Sequence, residues 1–326
     1  MDRVHVVALG AGRMGRGIAH AFAYAGHRVT MLDLKAREKE AADTLAREAR
    51  VEIEGNLHLL AQLGAMQASA IPAILARIDF AARDEAPLVL ARADVAFEGV
   101  PEVMAAKQEA FAFACAHLRA DALLASTTST FLVDALRGFV TRPERFLNAH
   151  WLNPAFVVPL VELSPHQGTS PQTLAAFKQL LESIGKVPVV CAAAPGFIVP
   201  RIQALAMNEA ARMVEQGLAT PEDIDKATRY GFGFRFAALG LIEFIDFGGN
   251  DILYFASRYL ARELGEDRYA APAIVDRLMS EGKVGLKSGE GFYDWRERDT
   301  LAYRRDVMAR MLAQLQHVGL ARQPVE

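Results

Sequence analysis

The sequence predicts an α/β protein: a mostly parallel sheet domain with crossover helices, followed by an all-helical domain. Two observations carry this. Over the first two hundred residues, short apolar runs alternate with longer helical patterns, as they do where parallel strands are joined through helices. Around Ala192-Ala193-Ala194-Pro195-Gly196 the alternation stops, and helical punctuation with almost no strand signal follows. The domains are therefore placed at 1–192 and 193–326.

The strand candidates, in order, are Val4 to Leu9, Arg28 to Leu32, Asp94 to Phe97, Leu123 to Ser126, Phe146 to His150, Leu160 to Leu163 and Val187 to Val190. Between the second and third lies a helical insertion, Lys35 to about Ala76. Its start, Arg37-Glu38-Lys39-Glu40 through Asp43, Arg47 and Arg50, spaces mixed charges three and four apart, the mark of an exposed helix face. The insertion is expected to project from the sheet. In the second domain, Thr220-Pro221-Glu222-Asp223 offers an N-cap, a proline at the first helical position and an acidic residue able to reach back, so a helix starts at Pro221. Gly231 is expected to end it. Six of the eighteen phenylalanines fall between Gly231 and Leu260, which fits either that domain's core or a subunit interface.

At 326 residues the chain has room for about two domains of roughly 150. Its 52% hydrophobic and 23% charged composition excludes a disordered chain. The net charge is −3 with both signs scattered, so no basic stripe offers itself to nucleic acid or to an anionic membrane. Cys115 and Cys191 lie outside any CxxC pattern and read as two buried small hydrophobes in a reducing compartment, not as a disulfide or zinc site. No HExxH or comparable set suggests a metal. The amino-terminal apolar run Val4 to Leu9 is too short for a signal peptide or a membrane span, which makes a cytoplasmic location the expectation.

Gly10-Ala11-Gly12-Arg13-Met14-Gly15 follows the first strand and opens a helix. Gly10 permits the tight turn, Gly12 lets backbone approach a pyrophosphate, Gly15 lets helix and strand pack, and the helix N-terminus faces the anion. Asp33 ends the second strand about 20 residues on, where an acidic side chain accepts from ribose hydroxyls and repels a 2′-phosphate. Strand, glycine turn, helix and acid together read as a Rossmann-type dinucleotide site selecting NAD. Lys35 and Arg37 nearby could accept a phosphate or be solvated helix residues.

A second constellation is Phe146 to Pro154 followed by Leu160-Val161-Glu162. Strand, Asn-Pro turn and strand could bring His150 to Glu162, and a histidine oriented by a carboxylate is suited to removing an alcohol proton. Ser126 to Thr130 places hydroxyls after a strand expected to end on the same edge. A Ser129-His150-Glu162 hydrolase triad fails locally, because no G-x-S-x-G elbow surrounds Ser129.

With these motifs in hand, the chain resembles the L-3-hydroxyacyl-CoA dehydrogenase family over almost its whole length. The match runs through the glycine turn, Phe97-Glu98-Gly99-Val100-Pro101-Glu102, Ser126 to Phe131, His150 to Pro154, Pro195 to Val199, Glu222-Asp223-Ile224-Asp225 and Lys287 to Tyr293. The resemblance implies His150 as catalytic base, Glu162 as its orienting carboxylate and Ser129 as a contact of substrate and nicotinamide. It associates Gly10, Gly12, Arg13, Met14, Gly15, Asp33, Glu102, Lys107, Asn153 and Lys287 with the cofactor, NAD. It also implies a homodimer formed through the helical C-terminal domain, and a small-molecule hydroxyacyl substrate with no nucleic-acid or membrane partner.

Three departures bear on that substrate. The family's Pro-Gly-Phe-Ile-Val-Asn-Arg becomes Pro200-Arg201 after Val199, which removes a polar side chain. Residues Val51 to Ala76, where the family binds the CoA nucleotide with lysines, hold neither Lys nor Arg and leave only Arg47 and Arg50 close by. Gly233 to Gly240 lacks the usual Gly-Pro and contains Arg235, as in the branch acting on free hydroxy acids such as gulonate and carnitine; Arg235 is either a carboxylate clamp or a surface cation. Family breadth favours a short 3-hydroxyacyl-CoA such as 3-hydroxybutyryl-CoA, the departures favour a small free 3-hydroxy acid, and a non-catalytic NAD-binding dimer is the third alternative.

Overall fold

A computed structural model describes residues 3–322, and the chain divides into two compact units, Met1–Ala206 and Met207–Glu326. The first unit is built on an eight-stranded sheet: β1 (His5–Leu9), β2 (Arg28–Leu32), β3 (Ile78–Ala81), β4 (Val95–Glu98), β5 (Leu123–Ser126), β6 (Phe146–Trp151), β7 (Leu160–Ser164) and β8 (Val187–Val190). Strand order is β3-β2-β1-β4-β5-β6-β7-β8, and every neighbouring pair is parallel except β6–β7. The helices are α1 (Arg13–Tyr24), α2 (Lys39–Gln62), α3 (Ile71–Leu75), α4 (Ala86–Leu90), α5 (Met104–His117), α6 (Val133–Leu136), α7 (Pro171–Ser183) and the start of α8 (Val199–Glu215).

The central strands are buried on both faces, as a parallel sheet covered by helices must be. Alternate side chains supply separate cores: Val6 and Ala8 join Val29, Met31 and Phe97 on one side, while Val7 and Leu9 join Leu32, Ala96 and Phe146 on the other. Because the parallel strands share one polarity, β1, β4, β5 and β6 all deliver their carboxyl ends to the same edge, where the chain order reverses between β1 and β4.

Three expectations need correction in this unit. An eighth strand, β3, has four residues at the sheet edge, Ile78, Asp79 and Phe80 half-buried and Ala81 buried, too short to give a periodic signal. The insertion does not simply project: Ala49, Ile53 and Leu57 repeat every four residues along α2 and are buried in the core, while its charged first turns stay exposed. Cys115 and Cys191 are free but only half-buried. The units part at 206, beyond the expected boundary at 192, because α8 begins on the sheet domain, its first backbone N–H groups held by Glu162.

The second unit is helical, as expected: the rest of α8, then α9 (Pro221–Ala227), α10 (Phe234–Phe236), α11 (Leu241–Gly248), α12 (Asn250–Leu264), α13 (Ala273–Ser280) and α14 (Thr300–His317). Thr220 caps α9 by accepting the Asp223 N–H at 3.2 Å. Gly231 does not end that helix. It lacks the positive φ of a terminating glycine, and the chain continues through a wide π turn, Thr228–Gly233, into α10. Of the six phenylalanines, Phe244 and Phe247 pack on a small core of Ala238, Leu239 and Val307, whereas Phe232 and Phe255 are exposed. Asp246, fully buried, accepts the N–H groups of Phe292, Tyr293 and the Trp295 ring, and so pins the Lys287 to Tyr293 turn.

Candidate active site

His150 and Glu162 are cross-strand partners in the antiparallel β6–β7 register, which is why residues twelve apart in sequence meet. Nδ1 of His150 lies 2.8 Å from Glu162 Oε2, and both residues are buried. A carboxylate only accepts, so Nδ1 carries the proton and Nε2, without a partner among the described residues, presents its lone pair. The other carboxylate oxygen accepts the N–H groups of Ile198 and Val199, both at 2.9 Å, placing the negative charge at the N-terminus of α8. The imidazole is stacked on Phe197, centroids 4.8 Å apart and planes 16° from parallel. Phe197 lies outside the expected set of site residues. Its φ of +45° is the only non-glycine positive value among the described residues, and the signal for it in sequence is the preceding Pro195-Gly196.

Ser129 sits in the loop after β5, exposed, with its hydroxyl unpartnered among the described residues. That loop is gathered by one oxygen of Glu102, which accepts from the N–H groups of Ser129 (3.2 Å) and Thr130 (3.0 Å) and from the hydroxyls of Thr128 and Thr130. Burial works to raise the Glu102 carboxyl, but the hydroxyl donors and the charge of Lys107 outweigh it and hold it at about 2. Lys107 is itself buried, 2.9 and 3.0 Å from the two oxygens of buried Glu98 and 3.1 Å from Glu102. Its ammonium is thus enclosed by two carboxylates. Sequence reading did not single out Glu98, which also accepts from the Ser126 hydroxyl and the Val100 N–H.

The glycine turn fits a dinucleotide. Gly10 has φ +107°, and a side chain there would meet the Gly99 carbonyl; a Cβ on Gly15 would fall 1.9 Å from the Gly10 carbonyl oxygen. Gly12, by contrast, faces nothing within 4 Å, so open space lies where a pyrophosphate approaches, and no side chain caps the first turn of α1, Arg13 and Met14 included. At the end of β2 a cavity of about 740 Å³ opens beside buried Asp33. The Asp33 carboxylate accepts the Lys35 N–H at 3.2 Å and pairs with Arg37 Nε at 2.5 Å, so Arg37 is an ion-pair partner here rather than a solvated helix residue.

Asn153 is exposed on the turn following β6. In the second unit, Lys287 pairs with both oxygens of Asp251 at 3.1 Å and pulls that carboxyl below its usual range, while Arg235 donates to the Gly231 carbonyl and lies over the Phe244 ring. Pro200 occupies the first turn of α8, where its missing N–H costs no helical bond. Arg47 and Arg50 border a cavity against Met31, Ile78 and Phe80, whereas Glu48 and Glu52 of α2 approach Arg16, at 4.0 and 2.5 Å.

The sequence pattern of the 3-hydroxyacyl-CoA dehydrogenase NAD-binding domain matches residues 5–194, and that of the C-terminal domain of the same enzymes matches 196–295. The chain is 31% identical to a probable 3-hydroxybutyryl-CoA dehydrogenase of Bacillus subtilis over 91% of its length and 99% of the relative's. It is 28% identical to the 5-formyl-3-hydroxy-2-methylpyridine 4-carboxylate 5-dehydrogenase of Mesorhizobium japonicum, over 95% and 96%. Among solved structures it is similar to a 3-hydroxyacyl-CoA dehydrogenase of Archaeoglobus fulgidus, with a TM-score of 0.75, 28% identity and 98% and 100% of the two chains covered.

Proposed function

The chain belongs to the 3-hydroxyacyl-CoA dehydrogenase family and is an NAD-dependent oxidoreductase, and from that premise we propose that it oxidises the 3-hydroxyl of a short 3-hydroxyacyl substrate to the ketone. The observation that carries this reading is the His150–Glu162 pair with Nε2 left free. Gly10, Gly12 and Gly15 would hold the pyrophosphate of bound NAD, Asp33 its adenosine ribose and Asn153 its nicotinamide end, and the cofactor would supply the hydride acceptor. His150 Nε2 takes the hydroxyl proton as C3 gives up its hydride, and the new imidazolium is stabilised by Glu162. Ser129, held by Glu102, positions the reacting oxygen. A base so placed contributes about 10²–10⁴ in rate.

Relatives named for 3-hydroxybutyryl-CoA support a short acyl-CoA as substrate. A second reading, a free hydroxy acid, is favoured by three features: the acidic Glu48–Glu52 face of α2, the absence of Lys and Arg from Val51 to Ala76, and an Arg235 guanidinium that no carboxylate pairs among the described residues. The second unit also supports a homodimer: its core is small, and large apolar side chains such as Met207, Leu218, Phe255 and Leu301 are exposed. No described helix is long and apolar enough to cross a membrane. An NADH-formation screen of 3-hydroxybutyryl-CoA against free 3-hydroxy acids at matched concentration tests the function; no NADH from either class contradicts it.

A further inference from the structure

Beside its base, strand β6 buries an asparagine. Asn148 stands two residues before His150, so the two side chains leave the strand on the same face, while Leu147, Ala149 and Trp151 pack into the core on the other. It is 1% exposed, and asparagine is a poor strand residue. Its Nδ2 donates to the Phe131 carbonyl at 2.9 Å, whereas Oδ1 has no partner among the described residues. One neutral hydrogen bond does not offset a buried acceptor left unpaired, so stability alone is a poor account of the residue. His20 on α1 is a second such case, buried with neither ring nitrogen partnered and kept neutral by burial, which lowers its pKa to about 4. The His20 ring reaches no polar group, but Asn148 is tied to the loop that carries Ser129.

That bond joins the two halves of the candidate site. Ser126 and Asn148 are register partners in β5 and β6, and the chain runs on from them to Ser129 and to His150. The ladder between the two strands ends at this pair, and no main-chain hydrogen bond joins residues 127–131 to β6 among the described residues. The loop is fastened on one side by Glu102, through the N–H groups of Ser129 and Thr130, and is closed internally where the Phe131 N–H donates to the Thr128 hydroxyl oxygen at 2.9 Å. At its far end, two residues beyond Ser129, the Asn148 amide holds the Phe131 carbonyl. Where the ladder stops, a side chain therefore continues the connection between serine loop and base strand.

Resting on the reaction proposed above, we propose that Asn148 is a positioning residue, whose amide couples the Ser129 loop to the strand of the base and so sets where the serine hydroxyl meets the reacting oxygen relative to His150 Nε2. The test measures turnover of 3-hydroxybutyryl-CoA and of 3-hydroxybutyrate with NAD for wild type, Asn148→Ala, Asn148→Leu, Ser129→Ala and the Asn148→Ala/Ser129→Ala double variant. Leucine keeps the bulk without a donor, so a loss common to both Asn148 variants is that of the hydrogen bond and not of packing. Each is expected to lower kcat about 10- to 100-fold, the effect of a small misplacement, with KM for NAD within about twofold of wild type. In the Ser129→Ala background, Asn148→Ala is expected to cost less than about a further twofold, because residues acting as one unit are not additive. Equal losses in both backgrounds overturn the inference and leave the reaction standing, as do an unchanged kcat in either Asn148 variant, a rise in KM for NAD alone, or failure of both to fold. An unchanged kcat in Ser129→Ala overturns the serine's role in the proposed reaction, and the inference with it. No NADH from either substrate with the wild type overturns the reaction as well.

Discussion

Glu102 accepts the backbone N–H of Ser129 at 3.2 Å, so the serine expected at the substrate is placed by a carboxylate expected at the cofactor. Beneath it, Lys107 lies between Glu98 and Glu102 with 1% of its side chain exposed. The charges of this network are interdependent, because removing one member leaves another buried and unpaired.

Lys107→Met is therefore expected to destabilise the first unit by about 3–5 kcal/mol, the cost of breaking a buried pair on one side. Urea unfolding measures it. A loss below about 1 kcal/mol would mean that Glu98 takes up a proton at little cost. Glu102→Gln keeps the size of the side chain but weakens its acceptors, and should lower kcat/KM about tenfold through the Ser129 loop with NADH affinity less affected.

The cofactor end depends on a different pair. Asp33 is expected to favour NADH over NADPH, and Arg37, paired with it, is a cation that could turn toward a 2′-phosphate in a cavity that Lys35, Lys39 and Arg83 also line. Fluorescence titration should show tighter NADH binding in the wild type and a wider NADH/NADPH ratio in Arg37→Ala. Equal binding of the two cofactors by the wild type would show that Arg37, not Asp33, governs the site.

Much of this was legible in sequence because the signals are local. The glycine turn, the strand before it and Asp33 at the end of β2 announce a dinucleotide site within about 25 residues. His150 and Glu162 were legible because an Asn-Pro turn between two apolar runs implies an antiparallel return, and the register then sets them face to face. The illegible parts are those where tertiary context overrides local pattern. β3 is a strand because β2 offers it an edge, not because Ile78-Asp79-Phe80-Ala81 alternates. Lys107 reads as a cofactor contact, and only the fold shows Glu98 beneath it. Gly231 looks like a helix stop, but the π turn around it keeps the chain right-handed.

Stability should carry the signature of His20. Between about pH 6.5 and 4 the unfolded chain holds a proton on this residue that the folded chain does not, so stability falls as pH falls through that window. His20→Leu should flatten the acid side of the Tm–pH curve relative to wild type, with the other lowered histidines, His5 and His27, present in both. Parallel curves would show that His20 is protonated in the folded chain.

Arg235 separates the two substrate readings. If it clamps a free carboxylate, Arg235→Met should cost about 2–5 kcal/mol in kcat/KM on free hydroxy acids and little on thioesters. Unchanged kinetics on both would reduce it to the cation lying over Phe244 and return the advantage to the CoA thioester.

The central claim is that His150 is the base that removes the 3-hydroxyl proton, and steady-state turnover of His150→Gln beside NADH titration of the same variant tests it most directly. Turnover lower by about 10²–10⁴ with NADH affinity unchanged is the predicted result. Turnover within a few fold of wild type would place the base elsewhere, and loss of NADH binding would make His150 a structural residue of the β6–β7 pair.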